Sequence, residues 1–151
     1  MQVQRVVTVD APVDRVFAYL ADFTRTEDWD PGTRRTLLVS GDGREGTRYD
    51  NHLLFGGRET VIQYVVTHWV QDHLLVLRGQ TPTMTARIRF SLNPLLHPRN
   101  STEGTRITFT GDYDFAGSAR LARPWLARAL NQVADDGAHG LERALSRLSV
   151  D

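Results

Sequence analysis

Apolar residues recur at a spacing of three to four positions between residues 118 and 148, near the end of the chain. This spacing predicts one long amphipathic helix, because residues three and four apart lie on the same helical face. The predicted inward face is bulky towards its ends but small in the middle, at Ala129, Val133 and Gly137. A helix of this shape can pack on a sheet at both ends and leave space beneath its middle. We therefore expect a cavity there.

The start of this helix and its glycines need separate explanations. Pro124 lacks a backbone N–H, so the regular helix is expected to begin at Pro124 or to kink just before it. Trp125 falls at the edge of the inward face and is predicted to border the cavity. Glycine costs about 1 kcal/mol relative to alanine inside a helix. Gly137 either provides ligand space or lets the helix approach the sheet closely, whereas Gly140 is attributed to composition alone.

Short strands separated by turn residues precede the helix. Tight turns such as Gly56-Gly57 force antiparallel neighbours, because a parallel crossover needs about a dozen residues or more. Residues 93–104 form the one long connection and are predicted to be a mobile surface loop. We expect strands near residues 2–9, 34–40, 47–55, 58–69, 73–79, 83–92 and 105–115, with two short helices between the first two strands.

The last two predicted strands each have one dry face, which predicts an antiparallel sheet covered on one side only. The long helix is the expected cover. Arg87 and Arg89 lie on the opposite, solvated face. The dry faces consist of Met84, Ala86, Ile88, Phe90 and Leu92 on one strand and of Ile107, Phe109, Gly111, Tyr113 and Phe115 on the other.

Composition excludes several kinds of chemistry. All 18 basic residues are Arg and the chain has no Cys, which excludes lysine Schiff bases, thiolate nucleophiles and Cys-ligated zinc. The five His lack metal-binding spacing, so we expect neither a metal site nor a cofactor. The formal net charge is zero and no basic run is present, so a nucleic-acid partner is not expected.

The length and the amino terminus lead to expectations about organisation. A chain of 151 residues is most simply one domain, spanning residues 1–151. The amino terminus has no long apolar segment, so neither a signal peptide nor a membrane span is expected, and a cytoplasmic location is the default. The sequence does not determine the oligomeric state.

Three short motifs, combined with the order of the predicted elements, resemble one superfamily over nearly the whole chain. The motifs are Val9-Asp-Ala-Pro-Val-Asp-Arg-Val-Phe17, Trp29-Asp-Pro31 and Gly104-Thr-Arg-Ile-Thr-Phe109. They resemble the START-like superfamily (SRPBCC), also described as the polyketide cyclase/dehydrase and lipid-transport family. The resemblance implies an α+β helix-grip fold, in which a curved antiparallel sheet of about seven strands wraps a long C-terminal helix. It also implies a ligand between sheet and helix.

Two polar or aromatic residues have competing interpretations. Trp29 corresponds to a position at the cavity mouth in similar proteins, or it anchors the second short helix to the core. Asn51 presents an amide to a ligand if its strand face points inwards; otherwise that face meets solvent. The residues expected to contact a ligand are Trp29, Asn51, Met84, Ile88, Tyr113, Trp125, Ala129, Val133 and Gly137.

Candidates for proton transfer are Tyr64, His68 and Tyr113. Tyr64 and His68 are predicted to share one strand face, and an enzyme would need such groups aimed into an apolar pocket. The competing interpretation is that an isolated Tyr or His on a strand lies at the surface or rim. Tyr113 is the stronger pocket candidate, because its neighbours define a dry face.

These features lead to three functional hypotheses. The first is a carrier-like domain that binds a small hydrophobic, lipid- or polyketide-like molecule in the sheet–helix cavity. The second is a polyketide cyclase- or aromatase-like enzyme that uses Tyr or His for proton transfer. The third is a protein-binding regulator that uses the loop containing Leu95 and Leu96.

Overall fold

The computed structural model describes residues 1–96 and 103–149 of the chain. The seven strands are β1 (Gln2–Val9), β2 (Thr33–Ser40), β3 (Arg48–Phe55), β4 (Arg58–Val70), β5 (Leu74–Thr81), β6 (Met84–Leu96) and β7 (Glu103–Phe115). The three α-helices are α1 (Val13–Ala21), α2 (Thr26–Trp29) and α3 (Arg123–Ser146), and shorter 3-10 helices cover Phe23–Arg25, Gly117–Ala122 and Arg147–Ser149.

All seven strands form one antiparallel sheet in the order β1-β7-β6-β5-β4-β3-β2. From β2 to β7 each strand pairs with the next one in sequence, as the short turns require, and β1 closes the far side against β7. The predicted α+β helix-grip architecture, with short helices between the first two strands and one long terminal helix, is confirmed.

The face of the sheet that meets the helices carries the core. The alternation predicted for β6 and β7 is observed, with Ala86, Phe90 and Ile107 buried and Arg87 and Arg89 exposed. On β3 the face that contains Asn51 points inwards, and this resolves the alternative left open for that strand.

The predicted pairing of Tyr64 and His68 on one strand face is wrong. The register between β4 and β5 shifts between Val66 and His68. Between these two positions β4 has one extra residue, which has no partner in the β5 register. A bulge of this kind reverses which side chains point inwards. Tyr64 is consequently buried, His68 is exposed, and Trp69 packs edge-to-face on Phe17 in the core.

The long connection predicted over residues 93–104 is strand at both of its ends. β6 continues to Leu96 and β7 begins at Glu103, and the two ends pair directly. Residues 97–102 lie outside the described part of the chain.

Regular α-helix begins at Arg123, next to Pro124, after a 3-10 helix. This matches the expected effect of proline, whose missing N–H is tolerated in a first helical turn. The buried face of α3 contains Gly137, as predicted, and also Ala134, Gly140 and Leu145, while Ala129 is only half-buried. α3 contacts α2 and also β1, an edge strand of the sheet.

Candidate functional site

A cavity of about 230 Å³ lies between the inner face of the sheet and the first half of α3. An apolar cavity of about 150 Å³ admits benzene, so this one has room for a larger ring system. Its lining is mainly apolar and aromatic. The lining residues are Phe23, Thr26, Trp29, Asp30, Asn51, Leu53, Phe55, Thr60, Ile62, Tyr64, Thr81, Thr83, Met84, Ile88, Phe109, Tyr113, Phe115, Ala119, Leu126, Leu130, Val133 and Gly137.

One end of the cavity reaches the protein surface. Exposed Thr83 and half-buried Phe55, Phe115 and Ala119 belong to the lining at this end. They come from the β3–β4 hairpin, the β5–β6 turn and the segment that precedes α3. A ligand could enter there without separating α3 from the centre of the sheet.

Trp29 has the anchoring role that the sequence left as one of two alternatives, and it also lines the cavity. Its ring packs edge-to-face on Phe90 and Phe109, with centroid distances of 6.0 and 6.5 Å, and only 7% of the residue is exposed. The same residue lines the cavity. Trp29 therefore anchors α2 to the core and at the same time forms part of the cavity wall.

Gly137 and Gly140 of α3 both face Trp29, but for different reasons. A Cβ at Gly140 would lie 1.7 Å from the Trp29 carbonyl oxygen, so no side chain fits there. A Cβ at Gly137 would lie 3.5 Å from the Trp29 ring, an ordinary contact. Close approach of the two helices therefore requires Gly140, which sequence reasoning attributed to composition, and Gly137 contributes to the cavity surface.

Two tyrosines bring hydroxyl groups to the cavity. Tyr64 of β4 is 7% exposed and Tyr113 of β7 is 9% exposed. Each ring occupies space above a strand glycine: a Cβ at Gly79 would lie 2.6 Å from the Tyr64 ring, and one at Gly111 would lie 2.7 Å from that of Tyr113. Glycine inside a strand is a known sign of such close approach. Neither hydroxyl has a hydrogen-bond partner among residues 1–96 and 103–149.

Asp30, in the turn after α2, brings a carboxyl group to the same cavity. Its Oδ1 accepts from the Gly32 N–H at 3.2 Å, and its Oδ2 accepts from the Thr33 hydroxyl at 2.8 Å. The Asn51 amide in turn donates to the Thr33 oxygen at 3.0 Å. These bonds fix the position of the carboxylate on the cavity wall.

A second branch of this network holds Asn51 in place. Its amide also donates to the Thr36 hydroxyl at 2.8 Å, which lies 2.6 Å from the Thr26 hydroxyl. Thr26 uses its only hydroxyl proton on the Phe23 carbonyl oxygen, so Thr36 must be the donor to Thr26. Both amide hydrogens of Asn51 are thereby engaged within the protein, and its carbonyl oxygen is the polar atom left to face a ligand.

Burial shifts the pKa of each of the three titratable groups on the cavity wall upwards. Burial raises the pKa of the Asp30 carboxyl, although the bonds from Thr33 and Gly32 oppose this and the charge of Asp136 adds to it. Burial also raises the pKa of Tyr64 and of Tyr113, and the nearby Asp30 charge contributes to both shifts. At neutral pH the two phenols are therefore protonated and can donate or accept hydrogen bonds.

Most of the residues predicted to contact a ligand line this cavity, and three candidates do not. Trp125 is half exposed and packs on Phe55, with ring centroids 6.0 Å apart, outside the lining. Ala129 lies beside the lining face of α3, not on it, and His68 is on the outer sheet surface. The lining includes Trp29, Asn51, Met84, Ile88, Tyr113, Val133, Gly137 and the proton-transfer candidate Tyr64.

Sequence reasoning did not identify Asp30 or the supporting Thr33 as residues of the site. The Asp30-Pro31-Gly32 turn gave no sign of burial, because the residues that cover it come from β3 and α3. Gly79 was a usable signal, since a glycine inside a strand pattern indicates a bulky neighbour.

Other kinds of site have little support within residues 1–96 and 103–149. No group of three or more His, Cys, Asp or Glu in these segments could hold a metal ion. No helix in the same part of the chain is long and apolar enough to cross a membrane. Leu95 is half-buried and Leu96 is 81% exposed at the end of β6, where the regulator hypothesis placed its contact surface.

Comparison with known proteins identifies the family. The family model for polyketide cyclase / dehydrase and lipid transport proteins matches residues 1–146. The chain belongs to this family. The fold of this family suits hydrophobic ligands, in agreement with the apolar cavity described above. No curated protein matches the chain in sequence.

Solved structures of other proteins share the fold across nearly their full length. A START superfamily protein from Mycobacterium smegmatis has a TM-score of 0.79 at 18% identity, covering 97% of this chain and 98% of that one. The Zhui aromatase/cyclase from Streptomyces sp. R1128 has a TM-score of 0.78 at 18% identity, with coverage of 97% and 94%. A protein from Thermus thermophilus has a TM-score of 0.80 at 16% identity, with coverage of 99% of both chains. At these identities the likeness concerns the fold alone.

Proposed function

We propose that this protein binds a small, largely apolar molecule with one polar group in the cavity beneath α3. The observation that carries the proposal is the pairing of an apolar, ring-rich wall with two buried tyrosine hydroxyls that lack protein partners among the described residues. A buried polar group without a partner costs about 1–3 kcal/mol, and a ligand that supplies the partner recovers that loss. Small-molecule sites commonly combine such walls with a few placed polar groups.

Filling the cavity tests this proposal. Gly137→Leu adds a branched side chain to the lining, next to the Trp29 ring, and removes a helix-destabilising glycine. We expect the variant to fold and to lose most of its binding of a fluorescent hydrophobic probe, by about tenfold or more in Kd. His139→Leu is the matched control, because it adds the same side chain to the exposed face of the same helix.

The measurement is a fluorescence titration of both variants and the unaltered protein, with circular dichroism as the check on folding. Equal probe affinity in Gly137→Leu and the unaltered protein would contradict a ligand site in this cavity. Native mass spectrometry of the purified protein provides an independent test, since a bound small molecule adds a discrete mass that Gly137→Leu should lack.

A second candidate function is proton-transfer catalysis on a bound molecule, as in a cyclase. It is favoured by one observation, the carboxyl of Asp30 beside two phenols in an apolar cavity, since raised pKa values at such sites suit general acids. The aromatase/cyclase neighbour has the same fold. Arg87 and Arg89 would take no part, because both are exposed on the outer face of the sheet.

Mass spectrometry of a co-purified molecule distinguishes the two candidates. If the protein only binds, the molecule released after prolonged incubation has the same mass as the one first bound. If it is a cyclase that dehydrates its substrate, the released molecule has lost water, and Asp30→Asn slows that loss.

A further inference from the structure

The few ionisable groups on the wall of the apolar cavity are all of one kind. The sequence contains 18 basic residues, all Arg, yet none of the residues that line the cavity in the described part of the chain is Arg or His. Its ionisable lining residues are all acids, namely Asp30, Tyr64 and Tyr113. Any charged ligand therefore meets only acidic partners there.

The surroundings of Asp30 add negative charge. Asp136 of α3 is close enough to raise the Asp30 pKa, and its own carboxylate accepts only from the Gln132 side chain, at 2.9 Å, among the residues described. The charged amino terminus donates to the Tyr113 carbonyl oxygen at 2.8 Å and does not line the cavity. The Asp30 carboxylate is held by two neutral donors, Gly32 and Thr33, and has no ion-pair partner in the segments described.

The two tyrosine hydroxyls provide an independent sign of a ligand. Tyr64 and Tyr113 lie almost fully buried on the cavity wall with no hydrogen-bond partner among the described residues, and the Asp30 charge influences both. Their oxygens can accept hydrogen bonds from a donor located near Asp30.

Aromatic rings supply the remaining part of the wall. A cation is attracted to the face of an aromatic ring, more strongly where water is excluded. Seven lining residues are aromatic: Phe23, Trp29, Phe55, Tyr64, Phe109, Tyr113 and Phe115.

We propose that the ligand carries a basic nitrogen, bound as an ammonium group by the Asp30 carboxylate and the Tyr64 and Tyr113 hydroxyl oxygens, on a small apolar or aromatic body. This inference rests on the proposed binding function and names its ligand class. An ammonium group has donors but no acceptor, and the Asp30 carboxylate and the two hydroxyl oxygens can all accept from it. A carboxylate or phosphate would instead meet the Asp30 carboxylate with no Arg or His among the described lining residues to compensate, so we expect free fatty acids and phosphorylated molecules to bind more weakly.

Three probes of one shape test the charge of the ligand directly. Naphthylmethylamine, naphthylmethanol and naphthoate share a ring system and differ in their polar group, which is cationic, neutral or anionic at neutral pH. We expect the amine to bind at least about tenfold more tightly than the alcohol, because a charge-assisted bond is stronger than a neutral one, and the acid to bind weakest. Calorimetric titration against the full chain measures all three affinities.

Asp30→Asn tests the assigned carboxylate. The amide keeps an oxygen that can accept from Thr33 but removes the charge, so affinity for the amine should fall about tenfold while affinity for the alcohol stays within about twofold. Asp28→Asn is the matched control, because Asp28 lies two positions away with its carboxylate exposed beside Arg25. It should leave the affinities for all three probes unchanged.

The pH dependence gives a readout that does not need a variant. Burial raises the pKa of Asp30, so the carboxylate becomes protonated as pH falls through that raised value, and amine affinity should fall with it. Affinity for the alcohol should change little over the same range. The other ionisable groups that influence Asp30 or are influenced by it are Asp136 of α3, Tyr64 and Tyr113, and the two tyrosines stay protonated throughout.

The outcomes separate the inference from the function on which it rests. An amine preference that disappears in Asp30→Asn supports both. Tighter binding of the alcohol or the acid, abolished by Gly137→Leu, would overturn the ammonium assignment and leave the binding function intact. Failure of all three probes to bind, with no co-purified molecule in native mass spectrometry, would overturn both.

Discussion

The two halves of α3 meet the rest of the protein in different ways. In the first half, Leu126, Leu130 and Val133 line the cavity. In the second half, Leu141 and Leu145 are fully buried in the core. The apolar spacing in sequence is similar along both halves, so the pattern alone does not decide which half is packed. The difference lies in what faces the helix.

Opposing residues explain this difference. At the packed end α3 meets the backbone of α2 directly, because Gly140 lets the Trp29 carbonyl approach. At the cavity end the sheet presents tyrosines that lie back over Gly79 and Gly111 instead of extending towards the helix. The space under α3 is thus produced by side-chain direction on the sheet as much as by small residues on the helix.

The largest expected effect comes from breaking the close approach at the packed end. Gly140→Ala places a methyl group on the Trp29 carbonyl, which only a shift of backbone can relieve, so we expect a loss of at least about 4 kcal/mol in the free energy of unfolding. Gly137→Ala is the matched control: its methyl group makes an ordinary contact, and the helix gains up to about 1 kcal/mol. Urea unfolding measures both, and equal effects would show that the two glycines are equivalent.

A smaller contrast is expected from shortening one leucine in each half. Leu141→Ala leaves a void in a fully packed region and should cost about 3 kcal/mol in unfolding free energy. Leu126→Ala borders space that already exists, so it should cost about 1–2 kcal/mol and should increase affinity for larger hydrophobic probes. Thermal unfolding and probe titration check these values. A gain in probe affinity for Leu141→Ala alone would reverse the assignment of the two halves.

The smallest effect concerns a single hydroxyl. Tyr64→Phe removes a buried group without a protein partner in the described segments, so we expect the ligand-free protein to become more stable by about 1 kcal/mol. Thr105→Val makes the comparable change at a hydroxyl that donates to the Ala11 carbonyl oxygen at 2.8 Å, and it should destabilise by a similar amount. The same sign for both variants in urea unfolding would mean that the Tyr64 hydroxyl has an unrecognised stabilising partner.

Much of the fold could be predicted because local patterns determine it. Turn residues such as Gly56-Gly57 set the antiparallel meander, and Pro124 set the start of regular helix. The one-residue bulge near His68 could not be predicted, since nothing in the alternation of β4 marks the position where its register shifts. One unpaired residue was sufficient to misplace His68.

The candidate site was predicted only in part. Residues in continuous strand or helix patterns, such as Ile88, Tyr113 and Val133, were assigned to the cavity from sequence and line it. Asp30 was not assigned to the cavity, because its burial depends on segments far apart in the chain. Thr33 donates to Asp30, and Asn51 of β3 donates to Thr33. Trp125 and Ala129 were also assigned to the cavity from the helical pattern, but they do not line it in the described part of the chain.

The sequence by itself determined the order of elements, the antiparallel pairing, the dry faces of β6 and β7 and the membership of a family whose fold suits hydrophobic ligands. These depend on spacing and on turn chemistry, which act over a few residues. Tertiary structure alone decided that Gly140 is required beside Trp29, that Asp30 lines the cavity and that no Arg does so among the described residues. Those features arise where segments distant in the chain pack together, because the packing of such segments sets both the charge and the volume of a cavity.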